Sequence, residues 1–238
     1  MLSREAIEYL VSLGEEKEIL VNTEHGLFTT RPLNRMKMPK AATLTVSTLT
    51  GFVDYIKSKI DMISTQLLIQ AKSYDEVKLY SPLNSDKERE EYVQAKAILP
   101  SNVVYDRFIS TEQFNIMLQS SFTDTGDKEV LLKYTGLVKD ESVKSIGDDG
   151  ISQQVTVKTG VASVGQAVVP NPVSLAPYRT FPEVEQPLSK FIFRMQDGPR
   201  AAIYEADGGA WRNVAMQSIK KYLEEELAEY AGKIKIIS

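Results

Sequence analysis

One apolar stripe near the end of the chain constrains the architecture most. Trp211, Val214, Ala215, Ile219, Tyr222, Leu223, Leu227 and Tyr230 recur at helical spacing, with Lys220, Lys221 and Glu224–Glu226 on the polar side. A helix with a single apolar stripe must lay it on another layer. The preceding residues supply strands for one: Phe191–Gln196 and Arg200–Ala206 alternate as a hairpin around Asp197-Gly198. Lys233–Ile237 reads as a short closing edge strand.

The same periodicities continue upstream. Ser110-Thr111-Glu112-Gln113 is a capping box, with Gln113 placed to reach back to the Ser110 amide. Phe114, Met117, Leu118 and Phe122 share one face, Thr123–Gly126 breaks the pattern, and Val130, Leu131, Tyr134 and Val138 form a second stripe. Together they predict an αα-hairpin. Leu49, Phe52, Val53, Ile56 and Ile60 predict a further helix after a β-rich Thr43–Ser47. Ile7, Leu10 and Val11 predict a short first helix, started by Ser3 and stopped by Gly14.

Short strands are expected at Glu18–Asn22 and Leu27–Thr30 around Glu24-His25-Gly26, at Gln66–Lys72 and Val77–Ser81 around Tyr74-Asp75, and at Tyr92–Leu99. Ser145–Gly150 reads as a turn, after which Ile151, Gln153, Val155 and Val157 alternate with polar residues. Pro170, Pro172, Pro177, Pro182 and Pro187 bar residues 170–187 from a central strand, so an irregular strap across the surface is expected there. The predicted class is α+β, a mixed or mostly antiparallel sheet with about five helices, including the αα-hairpin and the long C-terminal helix. At roughly 150 residues per domain, the expectation is a single α+β domain over 1–238. The alternative is two lobes, a helix-rich one over 1–145 and one of strand hairpin, proline strap and C-terminal helix over 146–238.

Composition narrows the chemistry. The 238 residues contain no cysteine and one histidine, His25, which falls in a predicted turn away from any nucleophile. Thiol catalysis, zinc-thiolate sites and disulfides are therefore excluded, and a histidine-based triad has no support. The net charge of -4 argues against a general nucleic-acid coat. No apolar run approaches the roughly 20 residues of a membrane span. The start of the chain has no signal-peptide core, so the expected location is cytoplasmic, with no membrane partner.

Three patterns invite chemistry and lack its full signature. Gly160–Gly165 has the glycine spacing of a phosphate loop, but Gln166 and Ala167 follow where Lys and Ser/Thr are needed. Asp140, Glu141, Asp148 and Asp149 are either a cation-binding group or a solvated loop, without calcium-loop spacing. Arg31, Arg35, Lys37 and Lys40 make a basic loop with Pro32 and Pro39, either a solvated connection or a contact for an anionic partner.

Two other places are the main binding candidates. Glu205–Arg212 carries a strand into Gly208 and Gly209 and then a helix, with Trp211 and Arg212 at its start. Exposed helix-start amides beside glycines favour a small anion. The same residues also suit a tight turn capped by Asp207, with Trp211 anchored in the core. Tyr178 and Arg179, in the strap, are of the types that anchor interfaces, or equally pack onto the domain. No catalytic residue, metal ligand or cofactor is assigned.

Val155–Gly160, Pro172–Phe181, Phe191–Arg194 and the strand–Gly-Gly-Trp–helix run resemble the YfdQ-like family of uncharacterised phage and prophage proteins. The resemblance runs through the last third of the chain and brings no catalytic motif. It implies a phage-encoded accessory protein in the infected bacterial cytoplasm. The expected function is non-enzymatic: self-assembly as a homo-oligomer, with binding of a host factor or small anionic ligand, including to counter host defence. The alternatives are accessory DNA binding in phage replication or recombination through the basic loop, and a metal-dependent hydrolase or nuclease.

Overall fold

A computed structural model describes residues 3–14, 20–23, 26–29, 40–61, 63, 65–85, 87–137, 143–148, 153–159, 163–169, 171–196 and 200–238. The chain divides into two compact units, Met1–Lys40 and Ala41–Ser238. In the first, the Ser3 hydroxyl caps helix α1 (Arg4–Gly14), accepting from the Ala6 amide at 3.2 Å. Strands β1 (Leu20–Thr23) and β2 (Gly26–Thr29) pair as an antiparallel hairpin.

The second unit opens with β3 (Leu44–Val46) and α2 (Leu49–Ser58), followed by a meander of β4 (Leu67–Ser73), β5 (Glu76–Tyr80) and β6 (Glu91–Lys96). Next come β7 (Ile109–Ser110), α3 (Thr111–Ser121) and α4 (Gly126–Leu137). A three-stranded sheet of β8 (Val143–Asp148), β9 (Gln153–Thr159) and β10 (Ser163–Val168) follows. The chain then forms β11 (Val173–Leu175), β12 (Ser189–Gln196), β13 (Arg200–Glu205) and α5 (Trp211–Glu226), and ends with a 3-10 turn, Ala228–Tyr230, and β14 (Ile234–Ile237). This is an α+β fold with mixed sheets.

Two cores result. The five-stranded sheet has the order β14-β4-β5-β6-β3, parallel at both edge pairs and antiparallel between them. Phe52, Val53 and Ile56 of α2, Ile219 and Leu223 of α5, and Leu227 just after it pack with Ile69, Leu79 and Val93 of that sheet. The four-stranded sheet, β11-β12-β13-β7, is covered by the αα-hairpin through Phe114, Leu118, Leu131 and Tyr134. Ser110 caps α3 as expected, accepting from the Gln113 amide at 3.2 Å.

Several expectations change. The proline strap is not a surface strap. Its Val173 and Leu175 enter the second core, its Phe181 and Val184 the first, and Arg179, Thr180 and Gln186 are buried. Proline still has its predicted effect, because β11 is an edge strand and the rest of the strap makes only an isolated bridge, Pro177 to Phe122, among the described residues. In place of a ladder, the Gln186 side chain accepts from the Arg179 and Thr180 amides at 2.9 and 3.2 Å and donates to the Phe181 and Val184 carbonyls. A buried strap is tolerable because this one side chain meets four backbone groups.

Residues 145–148 are strand, not turn: Ile146 opposes Val155 and Asp148 opposes Gln153, so the alternating β9 recruits them. Ile60 leaves the α2 stripe because Lys59 ends the helix in the left-handed region at φ 53, and Ile60 is 72% exposed. Val214, expected on the α5 stripe, is 50% exposed, so the buried seam is the narrower set Trp211, Ala215, Ile219 and Leu223. Asp207 does not cap α5; that position is Ala210, and Asp207 instead braces the preceding turn.

Candidate functional site

The two binding candidates read separately from the sequence meet in space. The Arg179 guanidinium lies 4.0 Å from the Trp211 ring centroid and 5.6 Å from that of Phe191. Tyr74 tilts against Trp211 at 4.8 Å between centroids, and Tyr105 stacks on Phe191 at 5.8 Å. Tyr74 sits in the β4–β5 turn and Phe191 belongs to the second core, so Arg179 and Trp211 join the two cores. The strap is tied to the same turn by Thr180 Oγ1, which donates to the Tyr74 carbonyl at 2.5 Å.

Charge in this cluster is balanced internally. Arg179 Nη1 donates to Glu205 at 2.6 Å, and Nη2 donates to the Ser189 hydroxyl. The Ser189 hydroxyl in turn donates to Asp207 Oδ2 at 2.6 Å. Burial pulls the Arg179 guanidinium down, opposed by Tyr105, Glu205 and Asp207. Burial also pushes the Tyr105 phenol up to about 12, with Arg179 opposing and Glu205 adding. Burial works against the charge on Asp207, yet the Ser189 hydroxyl, the Gly209 amide and Arg179 hold its carboxyl below the usual range.

This geometry answers the helix-start question. Asp207 Oδ1 accepts from the Gly209 amide at 2.9 Å, while the Arg212 and Asn213 amides bond to Gly209 and Ala210 carbonyls at 3.1 Å. The anion that a helix start attracts is supplied by the protein's own Asp207. Gly209, at φ +79, faces Arg212, whose Nη1 lies where a Cβ would stand. Arg212 rests near the Trp211 ring at 4.9 Å. The glycine therefore makes room for an arginine rather than for a ligand. Trp211 Nε1 and Arg179 Nε are buried without a hydrogen-bond partner, so ring packing and charge carry the cluster.

Beyond the other end of α5 the chain leaves open space. A cavity of about 310 Å³ is lined by Tyr55, Ile56, Lys59, Ile60, Asp61 and Ile63 around the end of α2, by Thr65, Leu67 and Leu79, and by Tyr230, Lys233 and Ile234. Ile56, Leu79 and Ile234 are buried wall residues, whereas Lys59, Asp61 and Lys233 are exposed. Tyr55 donates to Asp61 Oδ2 at 2.5 Å. Burial and that bond push the Tyr55 phenol well above its ordinary value. Lys59 lies 5.8 Å from the Tyr230 ring centroid. Sequence reasoning missed this site because its residues come from three separated stretches, 55–67, Leu79 and 230–234. The one local signal, Ile60 following Lys59, read as a continuing helical stripe.

The remaining candidates are dispersed. Tyr178 is 41% exposed, pointing away from buried Arg179 next to it in the chain. Tyr178 borders a groove of about 370 Å³ with Asp124, Pro182, Glu185 and Leu188. Lys40 is described; Arg31, Arg35, Lys37 and His25 lie outside the described residues, as do Asp140, Glu141, Asp149 and Gly160–Ala162. Among the described residues no group of three or more His, Cys, Asp or Glu side chains is placed to hold a metal. No helix among them is long and apolar enough to cross a membrane. No protein-family model, curated protein or solved structure matches the chain.

Proposed function

We propose that this chain is a non-enzymatic binding protein that holds a small molecule in the cavity between α2, β4 and the C-terminal strand. The cavity itself carries the reading. Its volume, about 310 Å³, is at the lower end of the roughly 300–1,000 Å³ typical of small-molecule sites. Its wall is apolar and its few polar groups gather among exposed residues, the arrangement that binds by burial and orients by charge. If the resemblance in the last third of the chain holds, the setting would be that of a phage accessory protein, where sequestering a small molecule in the host cytoplasm would favour infection.

The test is a fragment screen read by thermal shift on the full chain and on Ile60→Trp. Ile60 lines the cavity and is 72% exposed, so a larger side chain can occupy the space without disturbing a core. Ligands should raise the Tm of the native chain and lose that effect in the variant. Equal shifts in both proteins, or no ligand at all, would reject the reading.

Self-assembly has its own observation. Tyr178 and Leu188, 41% and 62% exposed, flank the strap groove on a backbone fixed by Gln186. An exposed tyrosine on a fixed backbone is a common anchor of an interface, with the neighbouring leucine adding apolar surface. A second copy docking there would show as an oligomer in light scattering, reduced to monomer by Tyr178→Ser with Leu188→Ser. A native chain that scatters as a monomer at micromolar concentration would end this reading.

A further inference from the structure

Resting on the cavity being a ligand site, we infer that its ligand is a small amphipathic anion. Its apolar body lies against the isoleucine and leucine wall, its head meets Lys59 and Lys233, and its binding clamps β14 to the sheet. The charge balance at the cavity carries the first part. Two features there would attract a cation, the Tyr230 ring face and the Asp61 carboxylate. Lys59 already lies against the Tyr230 ring, and Asp61 is engaged by the Tyr55 hydroxyl. Among the described residues, neither Lys59 nor Lys233 has a carboxylate partner. The end of α2 would ordinarily disfavour an anion through its carbonyls. The Lys59 amide, which donates to the Ile56 carbonyl at 3.4 Å, offsets part of that tendency, while Lys57 in the last turn is already paired with Glu226 at 2.9 Å. An anionic head is the group that completes this set, and it gains most where water is partly excluded.

The second part follows from topology. β14 is an edge strand, joined to the sheet through β4 alone. Ile234 opens β14 and Leu67 opens β4; the two are register partners, and both line the cavity. A body wedged against both adds contacts across the one pairing that holds β14. Strand openings that expose the amides of Lys235 and Ile237, which face β4 on the same side as the Lys233 carbonyl bonded to Leu67, should then become rarer on binding.

The experiment uses the full chain with two fluorescent probes of one ring system: anilinonaphthalene sulfonate, an anion, and N-phenylnaphthylamine, which is uncharged. The native chain should bind the sulfonate at a single site and more tightly than the amine. Lys59→Gln with Lys233→Gln should weaken the sulfonate about tenfold, the size of a charge-assisted contact, and leave the amine unchanged. Ile60→Trp should weaken both probes. Sulfonate binding should also slow hydrogen exchange at Lys235 and Ile237. Circular dichroism on the lysine variant confirms that the fold is kept, as expected for exposed side chains. Equal binding of both probes with no effect of the lysines would overturn the anion assignment while leaving the cavity as a site. No binding, or binding indifferent to Ile60→Trp, would overturn the cavity reading with it. Unchanged exchange in β14 would remove the clamp.

Discussion

The first turn of α5 and the stretch beyond its last turn draw on the same kinds of residue, aromatic rings, cations and carboxylates, and reach opposite outcomes. At the first turn, Arg179 bridges Trp211 and Phe191, Glu205 and Ser189 accept its hydrogen bonds, and Asp207 braces the backbone. Trp211 and Arg179 are only 5% and 6% exposed. Beyond the last turn, Lys59, Tyr230, Tyr55 and Asp61 pair off at the border of a cavity of about 310 Å³, and among the described residues Lys233 has no carboxylate partner. The difference teaches that residue type does not separate a keystone from a site. What separates them is whether the charges close among themselves and whether the rings fill the space.

The largest effect that could break this comparison is on stability. Trp211→Ala removes a buried ring shared by Tyr74 and Arg179. It should cost about 4 kcal/mol, read from urea unfolding of the full chain. Tyr230→Ala, at a half-exposed ring bordering the cavity, should cost only about 1 kcal/mol. Costs of similar size at the two ends would mean that the C-terminal end is packed as tightly as the first turn, and the contrast would fail.

Much of the fold was legible. The αα-hairpin follows from the Ser110 cap and two apolar stripes, and α5 from its own stripe, because periodicity is a local signal; within those stripes Val130 and Val214 turn out exposed, and Val138 lies outside the described residues. The strap's burial was not legible, since proline only removes ladder bonds. It does not reveal that Gln186 will satisfy four backbone groups instead. The strap and helix-start candidates could each be picked out, but not their meeting, since Arg179 and Trp211 are joined by tertiary packing across two cores. The cavity was least legible of all. It exists because Lys59 turns left-handed and ends α2 one residue before Ile60, and no residue type in that stretch requires it.

Smaller effects sharpen the account of the first turn. Gly209 has φ +79, and an added Cβ would run into Arg212 Nη1. Gly209→Ala should therefore cost about 2 kcal/mol, combining left-handed strain with displacement of the guanidinium. In Arg212→Ala the same glycine change should cost less, because only the backbone strain remains. A coupling of about 0.5–1 kcal/mol in the double-mutant cycle would confirm that the glycine serves Arg212. Zero coupling would detach Gly209 from that role.

Asp207 gives a pH signature of the closed end. Its carboxyl is held below the usual 3.8 in the folded chain. A depressed carboxyl adds stability that is present above the unfolded-state value and is lost as pH falls through the folded one. Asp207→Asn should consequently flatten the acid limb of the stability curve, with little change in its slope near neutral pH. An acid limb as steep in the variant as in the native chain would show that the turn before α5 does not depend on this charge.

The smallest expected effect lies at the open end, and its smallness is the point. Ile60 projects from the left-handed exit of α2 and is 72% exposed, so Ile60→Trp neither opens a core cavity nor forces one apart. Its unfolding free energy should stay within about 0.5 kcal/mol of the native value. Stabilisation by more than that would mean that the ring fills a void the fold itself needs closed. A marked loss would mean that Ile60 is a packing residue after all. A near-zero change leaves the cavity as space the fold tolerates, which is the condition for a ligand rather than the protein to fill it.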